Sequence, residues 1–341
     1  MGSPLRLVAL GRYADAAWTE VIDEFAAADH ALSRFRDDAE LVGLDRSAGT
    51  GTELRVGRRL ERAVVTAERA RRVTAGRFDP RVLIDLERLG EHGAQVPVRV
   101  EQDPPSDGRP GLDVPLVRRR RPGYLTIDRP IDLGGIGKGL ALRWATRRVE
   151  HLGFDAFLID AGGDIVVRGD APEDGPWKVG IEDPVAPAGP PLAVVGLRDL
   201  AIATSSISRR RWDHDGRSVH HLIDPRTGLP ASTGLLAVTV AGPDPAWAEV
   251  WAKTLFLGGG QRIGVEARAR GLAAWWVAAD GALEMTPAAR LVTTWVARED
   301  QPSRAITASS PSSVGIPSRA PAFVTASDAA ATARRAASSS G

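Results

Sequence analysis

Apolar residues in the first part of the chain recur at helical spacing, and later ones alternate as in strands. After a strand-like "LRLVALGRY", the stretch "ADAAWTEVIDEFAAADHALSRF" sets Trp18, Val21, Ile22, Phe25 and Ala26 at three- and four-residue steps, which predicts an amphipathic helix. "ELRVGRRLERAVVTAERARRVTAG" predicts a second helix closing at Gly76, and "RFDPRVLIDLERLG" a turn with a shorter helix. Residues 93–122 are rich in Pro, Gly, Asp and Arg and predict a loop or poorly ordered insertion, with Arg118–Arg121 as a solvated basic face. From Tyr124 onward, "YLTID", "FLIDAGGDIVVRG", "WKVGIEDP", "LAVVGLRDLAIATSS", "HHLIDP" and "LLAVTVAG" predict short strands, two of them joined at Gly162-Gly163. "PAWAEVWAKTLFLG" and "QRIGVEARARG" predict late helices, and "LAAWWVAADGALEMTP" a closing hairpin.

Long helices first and strands after favour an α+β fold, a single domain over 1–298 with a mixed or antiparallel sheet and flanking helices. Residues 299–341 are rich in Ala, Ser and Pro, with too little apolar surface to offset the entropy of ordering, and are expected to be a disordered tail. The formal net charge of +1 selects for neither nucleic acid nor an anionic membrane. The absence of cysteine excludes disulfides, thiol catalysis and Cys-based metal sites. No basic leader with a long apolar run opens the chain and no stretch suits a membrane span, so a soluble cytoplasmic protein is expected.

Of 44 basic residues only Lys138, Lys178 and Lys253 are lysines. A retained lysine in an arginine-writing sequence suggests a need for a compact point charge. Lys138 lies in "IDLGGIGKGLALRW". It is not a P-loop, because Asp132 and Gly139 stand where that pattern needs Gly and Ser or Thr, and the glycine spacing also fails the dinucleotide fingerprint. Gly134, Gly135, Gly137 and Gly139 would let backbone approach a ligand closely or take positive φ, and the helix start would aim its free N–H groups at an anion. A tight strand-to-helix turn explains the same residues equally well.

Asp160 and Asp164 flank a Gly-Gly turn and read either as ligands or as turn formers. Thr204, Ser205 and Ser206 end an apolar strand. His220 and His221 precede Asp224 and the turn Pro225-Arg226-Thr227-Gly228; alternation lets only one of the two histidines face a cleft. Glu249 and Lys253 stand four apart on a helix that is otherwise apolar, so the pair either borders a cleft or has another partner.

Together and in this order, "ALSRFRDDAEL", "TAGRFDP", "IDLGGIGKG", "LIDAGGDI", "AIATSS", "HHLIDPRTG" and the Glu249 helix resemble the FAD:protein FMN transferase (ApbE-like) family over about residues 30–260. The resemblance implies FAD as substrate, Mg²⁺ as cofactor, and transfer of FMN to a Thr or Ser hydroxyl of an acceptor flavoprotein with release of AMP. It implies a nucleotide cleft made by Asp79, Asp132, Gly134, Gly135, Gly137, Lys138, Gly162, Gly163, Asp164, Thr204, Ser205, His221, Thr227 and Gly228. Lys138, His221 and Asp224 are implied for catalysis, with His221 or a nearby carboxylate as base. Metal ligation is implied for the Gly135 carbonyl and Glu249, the latter in place of an Asp. The chain departs from the family at Ala39 for Ser, Asp45 for Asn, Ser206 for Gly, and Lys253 for the metal-site Thr. Two expectations follow for that last position: Thr254 shifts into the role, or Lys253 replaces part of the metal charge and contacts phosphate. Hydrolysis of FAD to FMN and AMP, and flavin binding without turnover, are the alternative functions.

Overall fold

The computed structural model describes residues 3–94 and 112–297, with an isolated pair at Val324–Thr325. The remainder of the expected tail and most of the 93–122 insertion lie outside the described residues.

An antiparallel sheet of eight strands organises the fold. Its order is Leu283–Met285, Ala273–Ala278, Leu235–Gly242, Ala201–Ser206, Asp164–Arg168, Phe157–Ala161, Leu5–Ala9 and Val324–Thr325. Every neighbouring pair is antiparallel, so the mixed alternative does not apply to this sheet. Alternation gives it two apolar faces. Phe157, Ile159, Ala161 and Val166 pack against helices Ala14–Leu32 and Gly137–His151. Val167, Ile202 and Trp275 pack against Trp177, Val179, Ile181 and Val195 of a second sheet, built from Trp177–Ile181, Ala193–Leu197 and Thr293–Val296. Helix Pro245–Gly258 covers the strands Leu235–Gly242 and Ala273–Ala278 through Trp251, Leu255 and Phe256.

The pattern locates most elements but misses two helices, Glu40–Arg46 and Pro287–Val292. Each spans fewer than two turns, too short for a periodicity to show. The second predicted helix starts later than its sequence suggests, at Arg58, after a strand at Leu54–Arg55. The cause is tertiary: Leu54–Arg55 pairs with Tyr124–Leu125, the Gly57 N–H donates to the Glu40 carboxylate at 2.5 Å, and a side chain at Gly57 would collide with that carboxylate.

Candidate active site

The glycine loop is positioned from below by two carboxylates. Asp45, buried, accepts the Ile131 N–H at 2.9 Å, and burial holds its carboxyl well above the usual range. Asp132 accepts the Gly134 N–H at 2.9 Å and lies 3.6 Å from the Arg34 guanidinium. Burial opposes ionisation of Asp132, yet Arg34, Lys253 and the Gly134 N–H outweigh it and depress its pKa. Leu133 then closes a turn through its carbonyl to Ile136 and Gly137, and helix Gly137–His151 begins.

None of the four loop glycines has positive φ, contrary to that part of the expectation. Two are required by close approach instead. A Cβ on Gly139 would lie 2.5 Å from both the Pro245 carbonyl oxygen and Ala246 Cα, where the starts of two helices cross. A Cβ on Gly135 would lie 2.6 Å from the Lys253 ammonium and 3.0 Å from its Cδ. Positive φ belongs to Gly162 and Gly163 (68° and 96°), which form the two-residue turn joining Phe157–Ala161 to Asp164–Arg168. Asp160 caps that turn by accepting the Gly163 N–H, while Asp164 points into the fold.

Asp164 is the hub of the site. It forms an ion pair with Lys138 and accepts the Thr204 N–H at 3.2 Å. Thr204 also shares a hydrogen bond with Thr239, whereas Ser205 alternates to the opposite face and is buried there. Burial disfavours the Lys138 charge, but Asp164 and Glu249 outweigh it and raise the pKa. Glu249 reaches across from helix Pro245–Gly258 to accept the Gly139 N–H at 2.8 Å. It therefore caps one of the amides that a helix N-terminus leaves unsatisfied. Its own burial, reinforced by Asp164, pushes its pKa up.

Arg77, Phe78, Asp79, Pro80, Asp132, Gly135, His221 and Lys253 are among the residues lining a narrow crevice of about 10 Å³. That is room for about one water. His221 points a ring nitrogen at the Arg210 carbonyl, 3.4 Å away. Burial, with the cations of Arg210 and Lys253, holds His221 well below its ordinary value near 6.5, so it is neutral at pH 7. His220 turns away, bonding the Ala231 carbonyl and meeting Phe256 edge-on.

Other predicted residues are occupied elsewhere. Asp79 lines the crevice but its carboxylate is held in a buried fork by Arg81. Asp224 pairs with Arg226, and its carbonyl accepts the N–H groups of Thr227 and Gly228, so this segment builds a turn. Thr227 is exposed on that turn, and Gly228 supplies its positive φ. Thr254 is fully buried and donates to the Val250 carbonyl at 2.7 Å, about 140° around the helix from Glu249. Lys253, in contrast, faces the loop.

Sequence reasoning missed Arg34, Glu91 and Arg210. Glu91 is gripped by both arginines, which ties the loop after the first helix to the hairpin before His221. Nothing in a chain with 44 basic residues singles these two out.

The residues of the expected magnesium set have other partners. One Glu249 oxygen is already engaged by Gly139, Thr254 faces elsewhere, and the space over Gly135 holds an ammonium. Among the described residues, no three His, Asp or Glu side chains gather as a metal site. A larger groove of about 660 Å³ lies between helices Arg58–Val73 and Gly137–His151, but none of the predicted site residues lines it.

The model of the ApbE family matches residues 1–276, most of the chain. The chain belongs to the ApbE family. An FAD:protein FMN transferase of Escherichia coli K12 is 30% identical over 264 residues, covering 75% of this chain and 74% of the relative. One of Treponema pallidum is 29% identical over 266 residues, covering 71% of each. Among solved structures, the ApbE protein of Thermotoga maritima aligns with a TM-score of 0.74 at 24% identity, over 85% of this chain and 96% of that one. The flavin transferase ApbE of Vibrio cholerae aligns at 0.71 and 22%, over 86% and 96%. Both share the family fold seen here. No helix among the described residues is long and apolar enough to cross a membrane.

Proposed function

We propose that this protein is an FAD:protein FMN transferase, moving FMN from FAD to a Thr or Ser hydroxyl of an acceptor flavoprotein and releasing AMP. The observation that carries the reading is the pairing of two lysines with a neutral histidine. Lys138 stands at the start of a helix, Lys253 lies against Gly135, and His221 lines the same crevice as Lys253. Support also comes from the relatives, which carry this activity in their names.

In this reading the diphosphate of FAD lies along the glycine loop. The positive end of the helix dipole and the two ammonium groups offset its charge. The acceptor hydroxyl attacks the phosphorus of the FMN half. One P–O ester bond forms to the acceptor, and the P–O bond to the AMP half breaks. His221 is neutral and takes the hydroxyl proton, while Lys138 stabilises charge on the departing phosphate. Asp164 orients Lys138. The crevice widens to admit a dinucleotide, since it holds only about one water as it stands.

The test is mass spectrometry of a candidate acceptor incubated with this protein and FAD. Transfer leaves FMN on a Thr or Ser and one AMP in solution per label. FMN and AMP without a labelled acceptor indicates hydrolysis, and FAD retained without turnover indicates a binding protein. Either outcome rejects transfer for that acceptor, and the same result across flavoprotein candidates rejects it for the protein.

A further inference from the structure

We infer that Lys253 takes the place of a divalent cation in this protein, so that the diphosphate-binding site carries its own covalently attached counter-charge. The inference rests on the flavin reading above and concerns what neutralises the substrate.

Three observations bear on it. First, Lys253 lies where a ligand to the loop would lie: its ammonium is 2.6 Å from the position of a Gly135 Cβ, and its stem occupies the space a side chain there would need. Glycine and lysine therefore fit as a pair. Second, Lys253 has no carboxylate in salt-bridge contact among the described residues, unlike Lys138, which is paired with Asp164; burial lowers the Lys253 pKa, opposed by the field of Asp132 and Glu249. It lines the crevice with Asp132 and His221. A cation lining a crevice without a contact ion pair has most to gain from an arriving dianion. Third, the side chains that would otherwise hold a metal are at least partly engaged. Glu249 caps the Gly139 amide, and the Thr254 hydroxyl is turned into its own helix. A divalent ion at the Gly135 carbonyl would stand beside the Lys253 ammonium and be repelled by it. An ammonium is a compact charge with three donors, suited to phosphate oxygens, which explains why lysine is kept here in a chain that otherwise writes arginine.

The experiment is FAD binding by the full chain, followed through quenching of flavin fluorescence in EDTA and in millimolar Mg²⁺. The wild-type Kd should agree between the two conditions within about threefold, and Lys253→Thr should bind about tenfold or more weakly in EDTA and recover when Mg²⁺ is added. Circular dichroism establishes that the variant is folded, and the wild-type comparison needs no variant. Wild-type binding about tenfold or more tighter in Mg²⁺ overturns the inference while leaving the flavin reading intact. A Lys253→Thr variant that binds FAD in EDTA as tightly as wild type also overturns it. Absence of FAD binding by the wild type in both conditions removes the flavin reading itself, and this inference with it.

Discussion

The two walls of the crevice were built by different means. The loop wall, Ile131–Gly139, is backbone held by buried groups: Asp45 on Ile131, Asp132 on Gly134, Glu249 on Gly139. The helix wall, Pro245–Gly258, contributes side chains from an otherwise apolar rod: Lys253 and Leu257 line the crevice, and Glu249 reaches the Gly139 amide. Backbone geometry constrains which residues are possible at each position, so the loop wall keeps its glycines. A side chain on a rigid helix can be exchanged without disturbing its neighbours, which suits the position of Lys253.

Removing the charge from the loop wall should do the most damage. Lys138→Ala leaves Asp164 buried without its partner, and flavin transfer should fall on the order of 100-fold in kcat/KM. A loss below about threefold would move the burden to the helix wall. Tightness between the walls comes next. Gly139→Ala pushes a methyl into the backbone of Pro245 and Ala246 and should cost about 1–3 kcal/mol in urea unfolding. Gly135→Ala meets only the movable end of Lys253, so its effect should fall on FAD affinity, with stability changed by less than about 1 kcal/mol.

His221 gives the comparison a pH axis. Its folded-state pKa lies well below 6.5, so below that pH the unfolded chain gains a proton that the native one refuses. Stability therefore falls as pH drops from about 6.5 toward the folded-state pKa. Thermal melts of wild type and His221→Gln should diverge over that range, the variant being the less acid-sensitive. The smallest effect is expected from Thr254→Val, which removes a hydroxyl bonded within its own helix. FAD affinity and its response to Mg²⁺ should be unchanged, and an Mg²⁺-dependent loss of affinity would return Thr254 to the site.

Much of the frame was readable in advance. The Gly162-Gly163 turn follows from two apolar runs around two glycines, and the alternation argument that only one histidine faces a cleft matches the positions of His220 and His221. The loop was readable as a place, but the reason for its glycines was not. Gly139 and Gly135 answer to atoms more than 100 residues away, and no local pattern encodes that contact. The same holds for Arg34 and Arg210. Their importance lies in sharing Glu91, which is visible only once three distant segments meet. Thr254 and Lys253 were equal alternatives on paper, and the direction each faces on its helix separates them.

The bare contact between Gly139 and Ala246 bears on how such an enzyme can change. Because two backbones touch there, the spacing between the walls does not depend on what the facing side chains are. A lineage can then trade a hydroxyl for an ammonium at one position, and with it a soluble metal requirement for an inherited charge, without first finding a new fold. On the inference drawn for Lys253, dependence on an environmental ion becomes a trait set at one position.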